Sequence, residues 1–460
     1  MNDVVIDRML ARKYDVTGPR YTSYPSAAHF TDGLPAAAIL ARVRASHDAG
    51  ATPRPLSLYV HLPFCASLCW YCGCTMVIAR RQGRSAEYLA RLAREIELLA
   101  PHVDPARRVV QLHFGGGTPT FLLPEELRAL GAHLREHFAF AENVEAGVEV
   151  DPRRLTEEHV AALREAGFNR ASVGVQDHDP VVQRAVNRIQ PPEQTARAVA
   201  WLRAAGFQSV NVDLIYGLPH QTPASFARTL EDVLALRPDR LAVFGYAHVP
   251  WMKPAQRRLE REALPDATLR LTLLELTIGT LTGAGYVYVG MDHFARPDDE
   301  LAVAQREGRL HRNFQGYTTR GDADLYGLGL SAISSAAGAY WQNEKTLPRY
   351  EAALAAGRLP HARGYVLSHD DLLRRELITR LLCDMRLDFA VLSRRLGVDV
   401  TDYFAAELRS LADLEDDGLV RRDSAGLEVT DTGRLLVRNI AMRFDAYATR
   451  AGGGRYSRTI

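Results

Sequence analysis

The sequence predicts an α/β chain: a partial (β/α)6 TIM-like barrel, preceded by an N-terminal arm and followed by a mostly α-helical C-terminal domain. Short β-branched runs alternate with longer helical patterns from about residue 56, as in a parallel sheet with crossover helices. A weak repeat, Ala166-Gly167-Phe168, Ala205-Gly206-Phe207 and Ala284-Gly285-Tyr286, follows helical runs and precedes apolar ones. The residues of chemical interest fall at or just after the C-terminal ends of several strands, which favours a barrel over an open doubly wound sheet.

The elements follow in order. Residues 1–55 hold the cluster GPRYTSYPSA and read as an ordered arm. Strands are expected in LSLYVHL ending at Leu62, VVQLHF at Phe114, EAGVEV at Val150, ASVGV at Val175, SVNVDLI at Ile215 and RLAVFGY at Tyr246. Helical runs from Ser85, Pro124 and Gln194 carry apolar residues near a 3.6 period. Each repeat glycine is placed to end its helix in the left-handed conformation. The barrel with its extension is expected over 56–365 and the C-terminal domain over 366–460. In the latter, Ser368 and Asp371 have capping-box spacing, and LVRRDSAGLEVTDTG reads as a hairpin. A helical unit with a hairpin has a winged-helix outline, for which packing or a lid is the preferred reading, since shape alone does not fix function.

At 460 residues the chain is long enough for a barrel and a smaller domain. Its 56 Lys and Arg balance 55 Asp and Glu, so no charge excess points to nucleic acid or an anionic membrane. A small-molecule partner is expected. The first residues, MNDVVIDRMLARKYD, lack a secretory apolar core, and no stretch is apolar for long enough to span a bilayer, so a cytoplasmic location is expected.

Four of the five cysteines lie between Cys65 and Cys74, too close together for a disulfide framework but suited to metal ligation or redox chemistry. Cys383, in LLCDM, reads as a small buried hydrophobe. In HLPFCASLCWYCGC, Cys65, Cys69 and Cys72 follow the first strand at spacings of four and three. Thiolates are the ordinary ligands of iron–sulfur clusters, which usually take four; three would leave one iron open to a small ligand. The alternative is a zinc site completed by His61, Cys74 or a distant residue.

This motif resembles that of the radical S-adenosylmethionine enzymes, and implies a [4Fe–4S] cluster that reductively cleaves S-adenosylmethionine to methionine and a 5′-deoxyadenosyl radical. Further motifs are similar to those of the oxygen-independent coproporphyrinogen III oxidases of haem biosynthesis. They are PRYTSYPSA from Pro19, YVHLPFC from Tyr59, CGC from Cys72, HFGGGTPT from His113, EVDPR from Glu149, SVGVQD from Ser172, VNRIQ from Val186, DLIYGLP from Asp213, YAHVP from Tyr246, GMDHFA from Gly290 and GLGLSAIS from Gly327. The resemblance implies two S-adenosylmethionine molecules per site and conversion of two propionates of coproporphyrinogen III to vinyl groups. Tyr59, Gly116, Glu149 and Ile333 would contact the cluster-bound molecule. Tyr71, Gly117, Thr118, Gln176, Arg188, Asp213 and Ala247 would contact the second, with Tyr71 standing where the family commonly has Phe.

Chemistry allows each role an alternative. Gly115–Gly117 could admit a ligand close to the backbone or form an ordinary turn. Glu149 and Asp213 could take ribose hydroxyls or offset a sulfonium charge, or could be ion-paired to Arg or Lys. Arg188 could clamp a carboxylate or be a solvated helix arginine. Gln176 could bond a ligand or satisfy buried backbone groups. Cys74 is not counted as a ligand in that family, and His61, His113, His248 and His293 read as hydrogen-bonded core histidines. Arg20, Tyr21 and Tyr24 could close over a tetra-anionic substrate or belong to a packed arm. A monomer is expected, with an electron donor and a final acceptor that the sequence does not identify. The rival readings are a haem-binding chaperone of the same superfamily, which generally lacks the PRYTSYP arm and the Cys74 thiol, and another radical tetrapyrrole enzyme.

Overall fold

A computed structural model describes residues 6–48, 53–80, 83–448 and 456–459. Residues 1–5 and 49–52 of the expected arm, and 449–455 and 460 of the expected C-terminal domain, lie outside the described residues.

All six expected strands form: β1 (Leu56–Leu62), β2 (Arg108–Gly116), β3 (Ala139–Val150), β4 (Arg170–Gln176), β5 (Ser209–Tyr216) and β6 (Arg240–Gly245). They pair in sequence order, each parallel to the next. Between them run α1 (Gly83–Leu99), α2 (Pro124–His137), α3 (Glu157–Glu165), α4 (Pro192–Ala204) and α5 (Pro223–Ala235), and α6 (Ala267–Gly283) follows β6. The side chains of Thr156 and Thr222 cap α3 and α5 by accepting backbone N–H groups. Gly167, Gly206 and Gly285 follow α3, α4 and α6 with φ of +91°, +78° and +89°, the left-handed stops that the repeat predicts.

The sheet extends beyond six strands. After β6 come antiparallel β8 (His293–Ala295) and then β7 (Val287–Gly290). On the other edge, β9 (Asp324–Leu328) pairs parallel to β1, and β10 (Ile333–Ala336), β11 (Ala339–Asn343) and β12 (His361–Val366) continue antiparallel. With Thr31–Asp32 beside β12, thirteen strands stand in linear order, and among the described residues the first and last do not pair with each other, so the barrel is open.

Side chains alternate across the strands. One face packs Leu112, Phe114, Val148, Val173, Val212, Leu214 and Leu241 into the main apolar core. The other face presents Gln111 and His113, Glu145 and Glu149, Ser172 and Gln176, Asn211 and Asp213 to a common cavity. The barrel therefore buries its apolar face outward, against the helices, and keeps a polar interior.

A buried hub ties the β9–β11 extension to the barrel. Glu95 of α1 accepts from the Gly329 N–H (2.8 Å), Asn343 Nδ2 (2.6 Å) and Tyr350 Oη (2.5 Å). Tyr88 of the same helix accepts the Leu330 N–H and donates to the His61 carbonyl, at 2.9 and 2.7 Å. Burial pushes the Glu95 carboxyl up to about 7.

A second apolar core centres on α7 (His369–Asp384) with Leu377, Leu381, Phe404, Leu414, Ile440 and Phe444. The Ser368–Asp371 capping box forms at its start. The expected hairpin pairs Val420–Arg422 with Gly426–Val429, and Arg386–Asp388 joins it as a third strand. Tyr14, Tyr21 and Tyr24 of the arm are buried in this core. Arg438 donates to the Gly18 carbonyl (2.6 Å), Tyr21 Oη to Asp445 (2.9 Å) and Arg20 to Asp292 (2.7 Å). Tyr21 and Tyr24 thus follow the packed-arm alternative. No helix among the described residues is long and apolar enough to cross a membrane.

Candidate active site

The cysteine loop begins where β1 ends. Phe64–Cys65 pairs with Val77–Ile78, and Val77 donates to the Pro63 carbonyl (2.7 Å), closing the intervening segment into a loop. Cys69 is buried, Cys65 and Cys72 are half-buried, and Cys74 is exposed. Arg188 Nη1 and Arg153 Nη2 lie 3.7 and 3.8 Å from Cys69 Sγ. Burial pushes the Cys65 thiol up to about 11. Hydrogen bonding from Cys74 draws Cys72 down, against burial, with help from its backbone N–H (3.4 Å).

The donor set fits a cluster better than a single ion. Tetrahedral zinc with Zn–S bonds of about 2.3 Å would hold its sulfurs about 3.8 Å apart. Among the described residues, the three-ligand group converging within 4.8 Å is His133, Glu136 and His137 of α2, and no cysteine belongs to it. A cubane binds thiolates at separate corners and so takes them from further apart. Cys65, Cys69 and Cys72 are the residues that could hold it.

The glycine run at the end of β2 is dictated by the chain itself. A β-carbon on Gly117 would lie 2.6 Å from the Pro63 carbonyl, and one on Gly115 would lie 2.7 Å from Glu149 Oε1. Gly116 has φ +116°, a conformation natural to glycine. The contacts that a β-carbon would violate are thus with protein atoms. They let the Gly117 and Thr118 N–H groups reach the Leu62 and Phe64 carbonyls, each at 2.9 Å, and dock β2 on the cysteine loop.

Glu149 accepts from the Gly116 N–H (3.0 Å) and approaches His113 Nε2 at 3.5 Å. Burial raises its pKa, but His113 and the Gly116 N–H together outweigh this and bring it below the ordinary value. Tyr59 stacks on His113, with centroids 5.9 Å apart, and its Oη lies 3.0 Å from His61 Nδ1. His61 Nε2 faces the Thr75 carbonyl at 2.9 Å. A carbonyl only accepts, so Nε2 carries the proton and Nδ1 accepts from Tyr59. His61 is therefore a satisfied core histidine.

Asp213 accepts from Ser172 Oγ and Asn211 Nδ2, both at 2.7 Å, while burial pushes it up to about 6. Neither Glu149 nor Asp213 makes an ion pair with Arg or Lys among the described residues. Arg188 departs from the solvated-arginine alternative. It is 7% exposed, donates to the Gly174 carbonyl (2.6 Å), and lies 3.4 Å from Asp151. Burial opposes ionisation of Asp151, but Arg188 and Arg153 hold it down at about 2. Gln176 ends β4 at a register shift with φ +72°, a strained conformation for a side chain of its size.

One cavity of about 490 Å³ collects these groups. Cys65, Cys69, Tyr71, Cys72, Gly116, Gly117, Thr118, Glu149, Gln176, Arg188 and Asp213 all line it. Tyr59, Ala247 and Ile333 do not. Tyr59 packs beside Gly115, the Ala247 carbonyl accepts from Gln256 (3.2 Å), and Ile333 packs with Phe30 and Tyr340. Further lining residues were not singled out from the sequence: Asp151, Arg153, Ser172, Asn211, Gln315 and Tyr317. Polar residues alternating with valines in ASVGVQ and SVNVDL were the available signal for Ser172 and Asn211. Gln315 and Tyr317 come from the hairpin His311–Asn313/Gly316–Thr318, which has no such signature.

Residues 59–233 match the family model described as the radical SAM superfamily, and residues 367–436 match the HemN C-terminal domain. The barrel, the three-thiol loop and this match define a radical S-adenosylmethionine enzyme, a class that uses a [4Fe–4S] cluster and S-adenosylmethionine. Over 456 residues the chain is 49% identical to the oxygen-independent coproporphyrinogen III oxidase of Pseudomonas aeruginosa, covering 99% of this chain and 98% of that one. It is also 49% identical over 455 residues to the Escherichia coli protein of the same name, with the same coverage. A solved structure described as coproporphyrinogen III oxidase (HemN) from Escherichia coli superposes with a TM-score of 0.91 at 48% identity, over 97% of this chain and all of that one. The chain belongs to the oxygen-independent coproporphyrinogen III oxidase family, and it is an oxidoreductase.

Proposed function

We propose that this enzyme converts two propionate side chains of coproporphyrinogen III to vinyl groups without oxygen, yielding protoporphyrinogen IX. The observation that carries the reading is a match to the named oxidases over nearly the whole chain, arm and C-terminal domain included. Each propionate loses a hydrogen atom from the carbon β to its carboxylate, then carbon dioxide and one electron.

Cys65, Cys69 and Cys72 would hold the [4Fe–4S] cluster, with Cys74 as a neighbour rather than a ligand. When bound, the reduced cluster and S-adenosylmethionine supply the carbon radical that takes the hydrogen atom. The chain's own residues hold, orient and shield the reactants. Tyr59, Gly116, Glu149 and Ile333 are assigned to the first S-adenosylmethionine. Tyr71, Gly117, Thr118, Gln176, Arg188, Asp213 and Ala247 are assigned to a second. Glu149, held ionised, offsets positive charge, and the Arg188 fork suits a carboxylate. Tyr59 and Ile333 lie outside the cavity wall, so their contacts would come through backbone or a neighbouring face. The division into an arm (1–55), a barrel with its extension (56–365) and a C-terminal domain (366–460) is kept as part of this reading, as is a cytoplasmic monomer.

The test is anaerobic reconstitution with S-adenosylmethionine, a reductant and coproporphyrinogen III, followed by product mass. A divinyl product is expected. Methionine release without a vinyl product would remove the substrate assignment and leave the radical chemistry standing.

A further inference from the structure

Helix α2 carries a second group of metal-ligating side chains, apart from the cysteine loop. Its last turn reads His133-Leu134-Arg135-Glu136-His137, and side chains three and four residues apart share one face of a helix. One donor atom from each of His133, Glu136 and His137 falls within 4.8 Å of the other two. The two imidazole rings have centroids 4.3 Å apart, and His133 Nδ1 stands 3.8 Å from Glu136 Oε2. That separation is beyond hydrogen-bond reach. It is near the roughly 3.4 Å that parts two donors on a tetrahedral zinc ion.

The donors have no competing partner. His137 Nδ1 faces the His133 carbonyl at 3.0 Å. A carbonyl only accepts, so Nδ1 carries the proton and Nε2 keeps its lone pair. Donation of the other ring N–H to a backbone carbonyl is the usual way in which a histidine ligand is oriented. His133 Nε2 is buried with no hydrogen-bond partner among the described residues, and a buried ring so placed calls for a bound group beside it. Glu136 pairs with no Arg or Lys among the described residues. The cations nearest in sequence are engaged elsewhere: Arg135 donates to the Ala166 carbonyl (3.0 Å) and lies 4.3 Å over the Phe140 ring, and Arg128 pairs with Glu165.

We propose that His133, Glu136 and His137 bind a divalent cation of the zinc class. Two imidazoles and one carboxylate suit zinc, nickel or cobalt, whereas magnesium and calcium take oxygen donors. Two histidines four residues apart on one helical face are the pair that holds zinc in other metal-binding helices. Three protein donors leave at least one coordination position to water. None of the three residues lines the active-site cavity. Helix α2 ends at His137, just before β3 begins at Ala139, while Glu149 stands near the other end of β3. The ion therefore sits at the opposite end of the barrel from the thiols and takes no part in the radical chemistry. It pins the last turn of α2 where that helix feeds β3, and it stabilises the folded chain by mass action.

The test titrates zinc chloride into the untagged, anaerobically reconstituted holoenzyme by calorimetry. Wild type should take up one zinc ion per chain in the presence of excess magnesium. His137→Ala should weaken binding by at least on the order of tenfold, since even a group that only orients a ligand is worth about that much. Glu136→Gln, which keeps the side chain's shape, should also weaken it. X-ray absorption at the zinc edge should show nitrogen and oxygen neighbours at about 2.0–2.1 Å and no sulfur at about 2.3 Å, and Cys74→Ser should bind zinc as wild type does. Zinc should raise the thermal unfolding midpoint of wild type and leave that of His133→Ala with His137→Ala unmoved. Dithionite-driven cleavage of S-adenosylmethionine should be the same in the α2 variants as in wild type, which shows that they are folded. Failure of the wild-type holoenzyme to take up zinc, a zinc–sulfur shell, or His137→Ala and Glu136→Gln affinities within twofold of wild type would each overturn the proposal.

Discussion

Replacing Gly117 with alanine tests whether the cysteine loop is positioned by close packing against the end of β2. The added β-carbon would sit 2.6 Å from the Pro63 carbonyl carbon and oxygen and 2.8 Å from the Phe64 oxygen. Ordinary contact begins near 3.4 Å, so one backbone must retreat by about 0.8 Å. No flexible side chain can absorb that movement. It pulls on the Gly117–Leu62, Thr118–Phe64 and Val77–Pro63 hydrogen bonds, at 2.9, 2.9 and 2.7 Å. Overpacking costs about 1–3 kcal/mol, and the three strained hydrogen bonds add about 1 kcal/mol each, for a total of roughly 4–6 kcal/mol. The retreating residues adjoin Cys65, so iron and sulfide per chain should fall along with the urea midpoint. Gly279→Ala in α6 is the matched control: nothing lies within 4 Å of its β-carbon and its φ is not positive, so it should stabilise by up to about 1 kcal/mol. A Gly117→Ala protein with the wild-type midpoint and full iron content would refute the packing argument.

Other consequences are as direct. Cys65→Ser, Cys69→Ser or Cys72→Ser should each abolish or strongly reduce cluster loading, measured as iron and acid-labile sulfide, whereas Cys74→Ser should keep it. Arg188→Met leaves Asp151 with Arg153 as its only guanidinium partner and takes from the Gly174 carbonyl the nearer of its two side-chain donors, Gln190 at 3.2 Å remaining; a loss of about 2–4 kcal/mol in urea unfolding is expected, together with weaker S-adenosylmethionine binding. Glu95 gives a pH dependence of definite sign. Its folded pKa is raised from 4.5 to about 7, so its contribution is full below pH 4.5 and is lost as pH rises through 7, by about 3 kcal/mol. Glu95→Gln should flatten that part of the stability profile between pH 5 and 7.5.

The parts of the fold legible in the sequence are those governed by local pattern. Six strands, the glycine helix stops and the Ser368 cap each depend on a few neighbouring residues. Strand β9 was not legible as a strand: DLYGL is short, contains Gly327, and is defined by pairing with β1 more than 260 residues away. The site divides in the same way. The cysteine spacing and the glycine run are local, and most of the residues carried over from the family resemblance meet in one cavity. The physical basis of the glycines was not legible, because Pro63 and Glu149 meet them only in the folded barrel. Burial of Arg188 was likewise hidden, since it depends on Asp151 and Gly174 rather than on the helix that precedes it.

The pairing of β9 with β1 bears on the order in which the protein is made. The edge of β1, which leads into the thiol loop, stays open until residues 324–328 have left the ribosome, and the anchor from Glu95 to Asn343 and Tyr350 comes later still. At synthesis rates of about 5–20 residues per second, the nascent chain carries its four clustered thiols on an unfinished scaffold for on the order of tens of seconds. A cluster held by those thiols would meet its finished scaffold only after Tyr350 has emerged, and an oxidant present before then would reach the sulfurs while they are least protected.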